Sequence, residues 1–224
     1  MTPHDAWQTI HPPGTFSTAR PFTDFFPAAF DDGRQLLLPI RPLPDGEHAV
    51  ASLIINQASF TVLAAIAETL ATKLRPFAPD IVVGLPTLGL TLAAAVAQQL
   101  GHSRYIPLGT SKKFWYRDDL AVPLTSITSP GGGKHLYIDP RMLPLFEGRR
   151  IALVDDVVST GASLNAALAL LSLCRHAPAC IGTAMLQSDR WKSRLPPGAA
   201  PLVVSVLATP ILQKSAEGWV ENIK

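Results

Sequence analysis

Only two cysteines, Cys174 and Cys180, occur in the 224 residues. Two thiols make neither a zinc ribbon nor a disulfide framework, so the fold must rest on its core, and a reducing, cytoplasmic setting is expected. Charge is scarce too. Charged residues make up 16% of the chain and the formal net charge is +2, which leaves no basic field of the kind that holds nucleic acid. No apolar run approaches the roughly 18 residues of a membrane-spanning helix. The first residues, MTPHDAWQTIHPPG, lack the basic and apolar segments of a secretory leader. Neither a membrane nor a nucleic acid is therefore an expected partner. Internal repeats and low-complexity tracts are absent, as are the Walker pattern and the dinucleotide pattern G-x-G-x-x-G.

What is present is apolar sequence, 47% of the chain, cut into short elements by 21 prolines. Residues 1 to 33 read as irregular, with Phe22, Phe25, Phe26 and Phe30 placed to pack over a core. Gln35 to Arg41 and His48 to Ile55 read as a β-hairpin turned by Pro44-Asp45-Gly46. A helix follows from Gln57 to Leu74, capped by Asn56 or Ser59, with Phe60, Leu63, Ala67, Leu70 and Leu74 on one face. Asp80 to Gly84 is a buried strand that leads through Leu85-Pro86-Thr87-Leu88-Gly89 into an Ala-rich helix stopped by Gly101. Arg104 to Leu108, Ala179 to Gln187 and Leu202 to Leu207 read as further strands. The span from Thr110 to Lys134, with Pro130-Gly131-Gly132-Gly133, has few periodic apolar positions and reads as a long functional loop. Gly133 to Asp139 returns from it as a strand. Thr209 to Lys224 is a tail.

The chain is organised around Arg150 to Leu171. Ile151 to Val154 is too short and too apolar for anything but a buried strand. Leu164 to Leu171 is a helix, with Ser163 or Asn165 near its start. Between them lie Asp155 and Asp156, then Ser159-Thr160-Gly161-Ala162-Ser163. A turn at a helix N-terminus presents free N–H groups and the positive end of the dipole. Small and hydroxylic residues there let a phosphate approach. Ionised carboxylates only accept hydrogen bonds, so the Asp pair suits a sugar diol or a metal-bound sugar. Together they describe a site for a ribose 5-phosphate.

The segment Ile151-Ala152-Leu153-Val154-Asp155-Asp156-Val157-Val158-Ser159-Thr160-Gly161-Ala162-Ser163 resembles, without departure, the phosphoribosyl pyrophosphate (PRPP) signature of type I phosphoribosyltransferases. The resemblance spans Asp80 to Gln187. It implies an α/β fold in one domain: a parallel sheet flanked by helices, core residues about 56–187, and a small hood from residues 1–55 and 188–224. It implies that Asp155 to Ser163 hold the ribose phosphate of PRPP. Leu85, Pro86, Thr87, Leu88 and Gly89 would hold the pyrophosphate through backbone N–H groups, with Leu88 where many relatives carry a basic residue. A cis peptide at Leu85-Pro86 or Pro86-Thr87, or neither, fits this segment. The loop after Gly109 would be a lid, bringing Lys113 first, then Lys112, Tyr116 and Arg117, to the pyrophosphate.

On the same resemblance Lys113, Asp155 and Asp156 are the catalytic candidates, and Asp118 or Asp119 could assist proton transfer. Trp191 and Val157 are the candidates for the base. Mg2+ would be held through PRPP, with Asp155 and Asp156 beside it. The 6-oxopurine branch carries Asp immediately before Thr-Gly. Here Ser159 stands there, which with Lys112-Lys113 resembles the adenine branch. The expected function is transfer from PRPP to a nucleobase, a purine, in a cytoplasmic homodimer that salvages nucleotides. The alternatives are a PRPP-binding regulator without transferase activity, or a transferase for orotate or another non-purine acceptor.

Overall fold

The computed structural model describes residues 5–124 and 134–222. Its centre is a five-stranded parallel sheet in the order β11-β10-β9-β5-β6. These strands are β5 (Ile81–Gly84), β6 (Ile106–Pro107), β9 (Ile151–Val158), β10 (Pro178–Gln187) and β11 (Val203–Thr209). Helices α1 (Phe60–Leu74), α2 (Gly89–Gln99) and α3 (Ala162–Leu173) flank it. Alternation along each strand decides which helix each residue meets. Val82, Ala152, Val154 and Ala184 share one core with Val62, Ile66 and Leu70 of α1 and Leu92 and Val96 of α2. Ile81, Val83, Ile151, Leu153 and Ile181 share the other with Leu164, Ala167 and Leu170 of α3. Both faces are covered, which explains why these strands read as unbroken apolar runs.

A second sheet, antiparallel, draws on both ends of the chain. Its order is β1-β3-β4-β12-β13, with β2 paired to β3. The strands are β1 (Ile10–His11), β2 (Phe25–Ala29), β3 (Gln35–Pro42), β4 (His48–Ala51), β12 (Ile211–Ser215) and β13 (Gly218–Glu221). The turn between β3 and β4 forms as its residues demand, with Gly46 N–H donating to Leu43 O and the Asp45 carboxylate accepting from the N–H groups of Glu47 and His48. The expected tail is thus two strands. Pro210 alone carries the chain from β11 of one sheet to β12 of the other, and the buried Gln187 amide ties the tip of β10 to Ala51 O at 3.2 Å. Of residues 188–202, expected in the hood, Trp191 to Leu195 instead run past the start of α3, where the Asn165 amide donates to Arg194 O at 2.6 Å.

Three further readings are corrected. Helix α1 begins at Phe60, capped by the Ser59 hydroxyl on Val62 N–H at 3.2 Å. Ala67, Leu70 and Leu74 are buried as expected, together with Val62 and Ile66, but Phe60, about 200° round the helix from Val62, is 90% exposed. The span after Thr110 is not structureless: β7 (Ala121–Pro123) pairs antiparallel with β8 (His135–Tyr137), and Gly109 bridges Tyr137. The glycine run 131–133 lies outside the described residues. Strand β9 continues past Val154 to Val158, because β10 is long enough to keep pairing, Thr183 with Asp155 and Leu186 with Val158.

Candidate active site

The acidic pair sits in the last turns of strand β9 rather than in the loop after it. Asp155 is buried and Asp156 is half-buried. The Asp155 Oδ1 accepts the Asp156 N–H at 2.9 Å. The backbone of Asp156 is held from the other side, its carbonyl accepting the hydroxyl of the fully buried Thr183 at 2.8 Å. Burial first, and the neighbouring Asp156 charge second, push the Asp155 carboxyl well above the ordinary carboxylate range. Burial raises Asp156 as well, partly offset by its hydrogen bond with Asp155. Two carboxylates this close cannot both ionise cheaply. Both carboxyls are pushed up, Asp155 the further, so Asp155 is the member that takes up a proton first and Asp156 the one that ionises first.

That assignment has a stability consequence with a definite sign. A carboxyl whose folded pKa is raised stabilises the fold below its unfolded value, near 3.8, and loses that contribution as pH rises through the folded value. Asp155→Asn keeps the Oδ1 acceptor, supplies a permanent donor towards Asp156 and removes the titration. Its melting temperature should gain on the natural chain from acid to neutral pH. The gap at neutral pH should be a few degrees, since about 1 kcal/mol moves a chain of this size by about 2–4 °C. A gap that narrows with pH would place the proton elsewhere.

After β9 the chain turns at Ser159 and Thr160, both half-buried, and enters α3 through Gly161 with φ +79°. No side chain caps this helix. Its first-turn N–H groups, together with the hydroxyls of Ser159, Thr160 and the exposed Ser163, face whatever sits at the turn. Ser159 to Ser163, the expected phosphate cradle, thus span the turn and the first residues of α3. Trp191 does not stack on a base. It is 2% exposed, packed with Leu195 against the Gly161 backbone, and a Cβ on Gly161 would lie 3.4 Å from each of them. The loop carrying it wraps the start of α3, so its ring fills core volume beneath the turn.

The second turn lies at the carboxyl end of β5, the strand beside β9. Leu85 is buried and its N–H donates to Val154 O at 2.9 Å, while Pro86 and Leu88 are half-buried and Thr87 is exposed. The peptide between Pro86 and Thr87 is cis, which the sequence left open. Gly89 starts α2 directly against the acidic pair: a Cβ there would lie 2.8 Å from Asp155 Oδ1 and 3.0 Å from Asp155 Cα. The second turn is thereby packed against the backbone of β9 at the acidic pair.

The lid residues fall outside this contact. Lys112 pairs with Asp118 and Arg117 with Asp119, all on the surface. The two carboxylates suggested for proton transfer are therefore occupied by cations. Lys113 is exposed, and Tyr116 is half-buried beside Tyr137, ring centroids 6.1 Å apart. The base of the lid is anchored by a cluster that sequence reasoning missed. Trp115 Nε1 donates to Asp139 at 3.3 Å, and the Arg141 guanidinium lies 4.8 Å above the Trp115 ring. The hydrogen bond from Arg141 is the largest cause holding the Asp139 carboxyl down at about 2. Residues 24 apart meet here only through the β7–β8 ribbon, so no local pattern announces them. Also missed was a groove of about 960 Å³ at the carboxyl ends of β10 and β11, where Asp45 and His48 face Ser188, Asp189, Arg190 and Glu221.

Comparison with known proteins agrees with this geometry. The family model of the phosphoribosyl transferase domain matches residues 50–209. Among curated proteins, "Bifunctional protein PyrR" of Pseudomonas putida (strain W619) is 36% identical over 87 residues, 38% of this chain and 44% of that one. The protein of the same name from Pseudomonas aeruginosa (strain LESB58) is also 36% identical over 87 residues. The chain thus spans less than half the length of the curated relatives it matches. Among solved structures, adenine phosphoribosyltransferase from Thermoanaerobacter pseudethanolicus aligns with TM-score 0.61 at 19% identity, covering 77% of this chain and 95% of that one. The Giardia lamblia enzyme complexed with 9-deazaadenine aligns with TM-score 0.62 at 19% identity, covering 77% and 93%. At that identity the likeness speaks for the fold. With the family model spanning both turns and every strand of the parallel sheet, the chain belongs to the phosphoribosyl transferase domain family.

Proposed function

We propose that this protein transfers ribose 5-phosphate from PRPP to a nucleobase, with a purine as acceptor. The bond from ribose C1 to pyrophosphate breaks, a bond from C1 to a base nitrogen forms, and the base gives up a proton. The observation that carries this reading is the pairing of two glycine-bounded turns at the carboxyl ends of neighbouring strands, β9 and β5, with one outward-facing carboxylate between them. Ligands of open α/β sheets gather at such ends.

In this reading Ser159 to Ser163 hold the 5-phosphate on N–H groups and hydroxyls, Asp156 accepts from the ribose diol, and Leu85 to Gly89 face the pyrophosphate. Asp155 acts through Asp156. Lys113, which has no ion pair among the described residues, supplies charge to the departing pyrophosphate when the lid closes, Lys112 and Tyr116 assisting. An oxocarbenium-like centre must be kept from water, which is what closure provides. Val157, half-buried at the end of β9, borders the base. Magnesium belongs to the same proposal. No cluster of three or more metal-ligating side chains occurs among the described residues, so the ion would be held through PRPP, with the hard oxygens of Asp156 beside it. It would offset charge on the leaving group. The purine assignment rests on Ser159 before Thr160-Gly161 and on Lys112-Lys113. A homodimeric, cytoplasmic salvage enzyme completes the reading.

The test is pyrophosphate release from Mg–PRPP with adenine, guanine, hypoxanthine, xanthine, orotate and uracil, the product nucleotide identified by mass. Adenine should react fastest. Reaction with orotate or uracil alone would overturn the purine assignment. PRPP binding without reaction of any base would favour a PRPP-responsive regulator, and absence of PRPP binding would end the reading altogether.

A further inference from the structure

A second polar site lies at the opposite, amino-terminal end of the parallel sheet. Val83 of β5 pairs with Ile106 of β6, and Ile81 with Ile151 of β9. Run back along these registers, Arg104 comes level with the start of β5 on one side and Arg149 on the other. Neighbouring strands are about 4.8 Å apart, so the two arginine backbones straddle β5 with about 10 Å between them. A cavity of about 320 Å³ opens there, lined by Asp80, His102, Ser103, Arg104 and Arg149.

The donors in this cavity are uncommitted. Neither Arg104 nor Arg149 makes an ion pair or a side-chain hydrogen bond among the described residues. Asp80, the one carboxylate of the lining, is held by the backbone: its Oδ2 accepts the Arg150 N–H at 2.8 Å. His102 has Nε2 at 2.9 Å from Pro79 O, and its Nδ1 is buried without a partner among the described residues. Counting Asp80, the lining carries one net positive charge with His102 neutral and two with it protonated. Guanidinium forks pair bidentately with tetrahedral oxyanions.

We propose that this cavity is a binding site for a phosphate dianion, remote from the transfer site and separate from it. The dianion is either free inorganic phosphate or the phosphate of a small monoester. The site stands on its own residues and does not depend on what the two turns at the other end of the sheet bind.

The experiment is a titration of the full chain with inorganic phosphate at constant ionic strength, read by NMR at the His102 ring and at the Nε–H groups of Arg104 and Arg149. These reporters are local, so phosphate held at Ser159 to Ser163 does not register in them. Saturable shifts are expected. Both arginines are exposed, so Arg104→Gln/Arg149→Gln should fold, with a melt as the check. Its affinity read at His102 should fall at least about tenfold, the loss of charge-assisted hydrogen bonds. Arg104→Lys/Arg149→Lys, which keeps charge but not the fork, should fall between the two and serves if the Gln pair does not fold. Shifts reproduced by chloride or malonate would overturn the phosphate assignment, as would unchanged affinity in the double variant. Ribose 5-phosphate binding more tightly than inorganic phosphate would identify a monoester as the ligand, and equal or weaker binding the free ion.

Discussion

Asp156→Asn should weaken the binding of Mg–PRPP by about 10- to 100-fold, the worth of one or two charge-assisted hydrogen bonds, while leaving the fold intact. Asp156 is the outward member of the acidic pair, and its carboxylate is the acceptor offered to the ribose diol. Asparagine retains one acceptor and turns the other into a donor, which a hydroxyl pair meets less well and a magnesium ion not at all. The fold should tolerate the change. The backbone of residue 156 is fixed by pairing with β10 and by the Thr183 hydroxyl on its carbonyl, neither of which involves the substituted side chain. Calorimetric titration with PRPP, beside a thermal melt, checks both halves. Unchanged affinity in a folded variant would remove the ribose-diol assignment from Asp156.

Gly89→Ala should damage stability and activity together. The added Cβ would lie 2.8 Å from Asp155 Oδ1, 3.0 Å from Asp155 Cα and 3.2 Å from Asp156 N. Backbone atoms of a central strand, paired on both sides, cannot swing away as a side-chain tip can. The chain must therefore separate α2 and the Leu85–Gly89 turn from β9, at the cost typical of overpacking, about 1–3 kcal/mol. That movement is also a misalignment of the two ligand-facing turns, and a displacement of about 1 Å in a positioning element can cost about 100-fold in rate. Gly109→Ala is the control. Nothing lies within 4 Å of its added Cβ, so its melt should stay within about 0.5 kcal/mol of the natural chain. A Gly89→Ala protein that melts and turns over normally would show that the contact between the turns does not set their geometry.

The parallel sheet was legible because its residues answer local rules. Strands buried on both faces read as apolar runs. Glycine and proline mark the turns, and hydroxyls before a helix mark an anion-binding start. The same logic placed a hydroxyl-bearing turn, Ser159 to Gly161, at the start of α3. It failed where contacts are long-range. The length of β9, and hence the placing of the Asp pair inside a strand, is decided by how far β10 extends beside it. The tail became strands because Pro210 hands the chain to a sheet whose other members lie some 160 residues earlier. What Trp191 packs against was not legible, because nothing near it in sequence shows the Gly161 backbone it covers.

By itself, then, the amino-acid sequence determined the element types of the core, the order of its βα units and the small, hydroxyl-bearing turn before α3. Each of these depends on periodicity or on side chains within a few positions of one another. Only the tertiary structure decided which aspartate is pushed up the further, that Gly89 must be a glycine, and that Arg104 and Arg149 share one cavity. Burial, close approach and summed charge are properties of residues brought together from distant strands, and no window along the chain contains them.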